Sequence, residues 1–78
     1  MPVTMWEVRA APERIETLRD WVLARVAETA QVYRSLGGEV RLVVIDPTGQ
    51  AAEQLADVPD ELVARPAHSW NFESARNV

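Results

Sequence analysis

The stretch Val-Arg-Leu-Val-Val-Ile at residues 40–45 (VRLVVI) is apolar on both sides of an extended chain. The glycine pair at 37–38 precedes it and Asp46-Pro47 follows it, so turn residues bound it at both ends. Successive side chains of a strand point to opposite faces of its sheet, so both faces receive branched aliphatic side chains. One set is Val40, Leu42 and Val44, and the other is Arg41, Val43 and Ile45. We expect helices to cover one set and a second molecule to cover the other.

Length and composition limit the kinds of site that the chain can build. With 78 residues, it is expected to form a single domain over 1–78, at the small end for a self-supporting core. It has no cysteine and one histidine, which excludes a disulfide framework, a thiolate metal site and a zinc site built from several histidines of one chain. We therefore expect neither a metal nor a cofactor, and stabilisation from packing or oligomerisation.

Charge and hydropathy exclude two classes of partner. The eight basic residues are scattered along the chain and the net charge is -4, so a nucleic acid is not an expected partner. No apolar run approaches the length of a membrane span, and the N-terminus MPVTMWEVRA lacks the blocks of a signal peptide. The prediction is a cytoplasmic protein that does not bind membranes.

Hydrophobic periodicity and turn residues predict six elements in the order β-α-β-β-α-β. The predicted strands are 3–10, 30–35, 40–45 and 68–73, the helices begin at 13 and 50, a further helical turn begins at Pro59, and 74–78 is a flexible tail. This order is typical of an α+β, ferredoxin-like fold, in which a four-stranded antiparallel sheet carries both helices on one face. The last strand alternates rings with small or polar side chains, which predicts a half-buried strand.

The first helix has the clearest pattern. Ile15, Leu18, Val22 and Val26 recur at spacings of three and four, as on the buried side of an amphipathic helix. Its C-terminal end is less well defined, because the alanine-rich segment 24–30 can continue a helix while the following residues resemble a strand. We predict the end near residue 28 or 29.

The sheet face opposite the helices is predicted to be apolar and uncovered. It would expose Val43 and Ile45 together with apolar residues of the first strand, which is a larger patch than a monomer usually leaves in water. Burying apolar surface contributes on the order of 25 cal/mol per Å² before the costs of association. A homodimer packed sheet to sheet is therefore the predicted assembly.

Two segments and the aromatic last strand resemble the antibiotic biosynthesis monooxygenase-like, dimeric α+β barrel group. The segments are VTMWEVRAAPERIETL at 3–18 and QVYRSLGGEVRLVVID at 31–46, and the resemblance covers nearly the whole chain. It implies a dimer whose two sheets form a barrel, with a pocket between sheet and helices in each subunit. Members of the group include cofactor-independent oxygenases acting on polycyclic phenols, haem-degrading proteins and isomerases.

Two departures from that group bear on function. The haem-degrading branch uses an asparagine on the first strand, and residues 3–10 contain none. The chain is also short in the region of the second helix, where members build part of the pocket wall. The first departure argues against haem degradation, and the second predicts a reduced pocket.

Four residues are candidates for a site. His68 is the side chain that ordinarily titrates near neutral pH, so it is the candidate catalytic base, while Trp6, Tyr33 and Trp70 are the candidate ligand-binding residues. The alternative for His68 is a strand-end ring that packs and hydrogen-bonds to backbone. The alternative for the aromatic residues is a place in the core or at an interface.

Two functions remain open at this point. The first is a small dimeric barrel protein that binds a hydrophobic or aromatic small molecule, with a cofactor-independent, monooxygenase-like reaction among its expectations. The second is a non-catalytic accessory or interaction module of the same fold. No glycine-rich phosphate loop, nucleophile elbow or CxxC pair occurs in the sequence, which argues against the common nucleotide-binding and hydrolase classes.

Overall fold

The computed structural model describes residues 2–76. Its elements are β1 (Val3–Arg9), α1 (Ile15–Leu23), β2 (Gln31–Arg34), β3 (Arg41–Asp46), α2 (Ala51–Gln54), a 3-10 turn (Asp60–Leu62) and β4 (His68–Phe72). The predicted α+β, βαββαβ arrangement is confirmed. Of the predicted tail 74–78, the first three residues are exposed and the last two lie outside the described residues.

The four strands form one antiparallel sheet in the order β2-β3-β1-β4. In the centre, Trp6 of β1 lies opposite Val44 of β3, and Met5 lies opposite Ile45. The β2 to β3 hairpin turns at Gly37 and Gly38, whose φ angles of 71° and 60° lie in the left-handed region that glycine adopts without strain. The sequence order therefore places the first and third strands at the centre and the last strand at an edge.

The core lies between one face of the sheet and the helical segments, and we call this face the covered face. Its buried sheet residues are Thr4, Trp6, Val8, Leu42, Val44 and Asp46. The helical segments contribute Leu18, Val22, Ala51, Leu55 and Leu62. Leu42 and Val44 are fully buried here, as the alternation in VRLVVI predicts, whereas Val40 precedes the strand and is 38% exposed.

The helix α1 buries the predicted side but is shorter than predicted at both ends. Leu18 and Val22 are fully buried, and Ile15 and Val26 pack against the core. The helix begins at Ile15 because Glu13, with a φ of 64°, is outside the right-handed helical region. It ends at Leu23 rather than near residue 28, since tighter hydrogen bonds such as that from Arg25 N–H to the carbonyl of Val22 close its last turn. The chain can then turn back to pair as β2.

The second helical region is also shorter than predicted. A helix over 50–57 is expected from sequence, but α2 covers only Ala51–Gln54, followed by the 3-10 turn that begins after Pro59. This short helix packs over β1, and α1 contacts the 3-10 turn. Neither reaches over β4, whose five residues are all exposed, so the prediction of a half-buried last strand is wrong.

The turn between β3 and α2 is built on the carboxylate of Asp46, which is fully buried. Its Oδ1 accepts hydrogen bonds from the Thr48 N–H at 2.9 Å and the Thr48 hydroxyl at 2.7 Å, and its Oδ2 accepts one from the Gln50 N–H at 3.0 Å. Burial raises the pKa of Asp46, but the hydrogen bonds from Thr48, Gln50 and Ala51 together lower it by more. The pKa of Asp46 is therefore below the ordinary value of 3.8. Asp46 thus holds the start of α2 against the sheet.

The helices are short compared with a bilayer. The longest, α1, has nine residues, whereas a membrane span takes about 20. Within residues 2–76, none of the helices is long and apolar enough to cross a membrane.

Candidate functional site

The structure distributes the four candidate site residues over both faces of the sheet. Trp6 points to the covered face and is 3% exposed. Tyr33, His68 and Trp70 lie opposite Val43, Glu7 and Met5, on the other face. The four side chains therefore do not converge on one cavity.

We call the face opposite the helices the open face. Its side chains are Val3, Met5, Glu7 and Arg9 of β1, Gln31 and Tyr33 of β2, Arg41, Val43 and Ile45 of β3, and His68, Trp70 and Phe72 of β4. Met5, Val43 and Ile45 are half-buried by one another at its centre, and the rings of Tyr33, Trp70 and Phe72 are about half exposed at its sides. The open face is therefore apolar along most of its length.

Charged side chains occupy one end of the open face. Arg9 pairs with Glu39 of the hairpin loop at 2.7 Å between nitrogen and oxygen, and Arg41 approaches Glu7 at 3.6 Å. Glu7 and Arg9 therefore each have an oppositely charged partner. Arg34, by contrast, pairs with Glu16 of α1 at 2.8 Å. The charges near the hairpin thus pair within the protein.

His68 lies beside Trp70 on the open face. Their rings are stacked, with centroids 5.9 Å apart and planes inclined by 24°. The alternative kept for His68 was a strand-end histidine that packs its ring and hydrogen-bonds to backbone. The ring packing is present, but within residues 2–76 the His68 side chain forms no hydrogen bond. A hydrogen bond holds the same strand on the opposite face of the sheet, where the Thr4 hydroxyl donates to Asn71 Oδ1 at 2.9 Å.

A groove of about 590 Å³ lies beside β4 on the helical side of the sheet, and we call it the β4 groove. Its lining residues are Trp6, Ala52, Leu55, Ala56, Val58, Asp60, the segment 63–67, His68 and Ser69. The volume lies within the range of about 300–1,000 Å³ that is usual for small-molecule pockets. Of the four candidate residues, Trp6 and His68 contribute to the lining, and Tyr33 and Trp70 do not.

The groove lies next to a short α2. This helix ends at Gln54, and Ser69 and Asn71 of β4 are exposed. The lining of the groove comes from the chain after α2, which we call one wall, from the segment leading into β4, which we call the other, and from Trp6 of the sheet. The reduced pocket expected from the resemblance stays a prediction; beside the four-residue α2 the structure has a groove of about 590 Å³.

The polar groups of the groove are divided between its walls. Asp60 belongs to the wall that follows α2, and Arg65 belongs to the wall that leads into β4. Within residues 2–76, neither side chain forms an ion pair with an opposite charge. Also in this part of the chain, no group of three or more His, Cys, Asp or Glu side chains is placed to hold a metal ion.

Sequence reasoning missed most residues of the groove. Leu55 and Val58 follow the periodicity of a core helix, and Arg65 is followed by a proline, which indicates a helix end and nothing more. The one available signal was the shortness of the chain around the second helix. This shortness indicated that the second helix would build less of the pocket wall than in the resembled group. It did not indicate which side chains would line the resulting space.

The fold is similar to that of a solved protein described as "Structure of Rv0793 from Mycobacterium tuberculosis". The two chains are 20% identical, the match covers 95% of each, and the TM-score is 0.63. Similarity at this identity shows a shared small α+β fold alone. No family model matches the sequence, and no curated protein matches it. The resemblance to the monooxygenase-like group therefore stays a prediction.

Proposed function

We propose that this protein is a homodimeric binding protein for a hydrophobic, aromatic small molecule held in the β4 groove. The observation that carries the proposal is the groove itself, which combines a ligand-sized volume with an indole in its lining. Leu55 and Val58 supply apolar surface on the side of α2, against which a flat ring can bury its own apolar surface. Ala52 and Ala56 are small, which leaves the groove wide.

The binding role is better supported than a reaction. A more specific hypothesis is that the protein also oxidises the bound molecule in a cofactor-independent, oxygenase-like step. This reaction needs His68 as the base. The His68 ring, however, stacks on Trp70 at the open face. Oxygen uptake with 1,4-naphthohydroquinone tests the oxygenase-like reaction. A catalysed rate that His68→Gln abolishes would support the reaction, and a rate equal to that in buffer would reject it.

Ligand binding is tested by filling the groove. Ala56 is exposed and lines the groove, so Ala56→Trp adds a ring there without disturbing the core. Calorimetric titration with 2-naphthol should give binding to the wild type and at least about tenfold weaker binding to Ala56→Trp. Ala24→Trp is the matched control, because Ala24 is exposed beyond α1 and is not part of the lining. Equal binding by both variants, or none by the wild type, would reject the groove as the site.

The homodimer rests on the open face, independently of the groove. An apolar centre bordered by half-exposed rings is the kind of surface that a second copy of the same sheet can bury. The paired charges at one end also suit such a contact, because paired charges cost less to bury than single ones. This face equally supports the second candidate function, a non-catalytic accessory or interaction module, which needs the dimer and no ligand.

Substitution at the centre of the open face tests the assembly. Sedimentation at micromolar concentration should show a dimer for the wild type and a folded monomer for Ile45→Arg, since the arginine would place a charge against its own symmetry mate. Leu23→Arg is the matched control: Leu23 is 52% exposed on α1, away from the sheet face, and its variant should stay dimeric. A monomeric wild type would remove the homodimer, whereas a dimer with no 2-naphthol binding would favour the module.

A further inference from the structure

The β4 groove presents hydrogen-bond donors next to apolar surface. Arg65, the side chain of Ser69 and the indole of Trp6 all belong to its lining. Arg65 offers a planar guanidinium that suits a carboxylate in a two-point contact. Its charge makes no ion pair within residues 2–76, so it is available to a ligand.

The indole N–H of Trp6 is a second donor. Within residues 2–76 it donates to no protein acceptor. It is also not one of the fully buried nitrogen and oxygen atoms that lack a partner in this part of the chain, which are Arg9 Nε and Gln54 Oε1. Trp6 is 3% exposed and lines the groove. An indole N–H can donate but cannot accept, so it favours an oxygen-bearing ligand.

Asp60 supplies the carboxylate of the lining. Asp60 is on the wall that follows α2, while Arg65 and Ser69 are on the wall that leads into β4. Arg65 and Asp60 line the same groove without forming an ion pair, so a ligand carboxylate would be attracted by Arg65 and repelled by Asp60. Charge complementarity thus selects the orientation of a ligand as well as its class.

We infer that the β4 groove selects planar aromatic carboxylates, with the carboxylate on Arg65 and the ring over Trp6 between the apolar walls. The inference rests on the proposed function and goes further by naming the chemical class. Because Arg65 is exposed, water and salt screen its interaction, and the gain in affinity is moderate rather than absolute.

The test compares two probes that differ only in charge, 2-naphthoate and its neutral isostere 2-naphthamide. Calorimetric titration of the wild type should show about tenfold tighter binding of 2-naphthoate. In Arg65→Gln this preference should fall to about one, while 2-naphthamide binds as before. Arg14→Gln removes the same charge at an exposed position outside the lining and should keep the wild-type preference.

The results of this test distinguish the selectivity for carboxylates from the proposed binding of aromatic molecules in the β4 groove. Equal affinity of the wild type for both probes would overturn the carboxylate selectivity and leave the aromatic groove intact. A preference that survives Arg65→Gln would also overturn it, since the anion would then be held elsewhere. Failure of both probes to bind would reject the proposed function itself. Circular dichroism of each variant confirms that the fold is retained, so that a loss of preference reports on Arg65 alone.

Discussion

The two faces of one strand have opposite surroundings in this protein. On the covered face Leu42 and Val44 are at most 1% exposed, whereas on the open face the neighbouring Val43 and Ile45 are only half-buried. The sequence of β3 is equally aliphatic on both faces, so composition does not explain the difference. The difference arises because every helical segment packs on one side. An aliphatic strand in a small chain therefore indicates which sheet face needs a partner. Three predictions test the difference between the two faces.

The largest expected effect contrasts two valines that are adjacent in β3. Val44→Ala removes two methyl groups from the fully buried side and should lower the free energy of unfolding by about 2 kcal/mol. Val43→Ala makes the same chemical change on the open face. At concentrations where the chain is monomeric it should cost less than about 1 kcal/mol, because water already reaches this side. Urea unfolding followed by circular dichroism measures both.

The same pair of variants responds differently to the proposed homodimer. If a second copy covers the open face, wild-type stability rises with protein concentration, and Val43→Ala weakens that rise while Val44→Ala leaves its slope unchanged. Stability that does not depend on concentration in either variant would argue against a partner on the open face. Equal losses for the two valines in the monomer would contradict the difference between the faces itself.

Residues of the sheet show how far sequence reasoning reaches. The alternation in VRLVVI predicts which side chains share a face, and the glycine pair at 37–38 predicts the hairpin, because both depend on local geometry. The end of α1 was predicted too late, since the alanine-rich segment favours a helix locally while pairing of β2 with β3 requires a turn. The environment of β4 was missed for a similar reason: alternation shows which way Ser69 and Trp70 point, but not whether a helix reaches over them.

The candidate site was harder to predict than the fold. His68 and Trp70 were correctly expected to share a strand face, but Trp6 was grouped with them although it points to the other side of the sheet. The walls of the β4 groove come from separate segments of the chain, and no periodicity links Leu55 to Arg65. Such a site depends on where α2 stops, which is a property of the packed structure.

The second prediction concerns Asp46, whose carboxylate is fully buried on the covered face. Asp46→Asn replaces an acceptor of three hydrogen bonds with an amide whose NH2 must face one of those donors. The free energy of unfolding at pH 7 should fall by about 1–1.5 kcal/mol. Asp57→Asn, at an exposed position after α2, is the matched control and should change it by less than about 0.5 kcal/mol.

Lowering the pH should remove the contribution of the Asp46 carboxylate to the free energy of unfolding. Its pKa is lowered in the folded state, so its contribution to stability is fully present above the unfolded pKa, near 3.8, and is lost as the pH falls through the lower folded pKa. The difference between wild type and Asp46→Asn should therefore be constant from pH 7 to about pH 5 and shrink at lower pH. A difference that stays constant down to pH 2.5 would show that the charge of Asp46 plays no part.

The smallest expected effect concerns a carboxylate on the open face. Glu7 approaches Arg41 at 3.6 Å, and both side chains are partly exposed, so water screens their attraction. Glu7→Gln should change the stability of the monomer by less than about 0.5 kcal/mol, in contrast to Asp46→Asn. The dimer should respond more strongly, because burial of the open face would leave Arg41 without its partner in a drier environment. Sedimentation of Glu7→Gln should therefore show weaker association than that of the wild type, while urea unfolding of the monomer stays nearly unchanged. Association as strong as in the wild type would place Glu7 outside the contact and confine the second copy to the apolar end of the open face, around Met5 and Phe72.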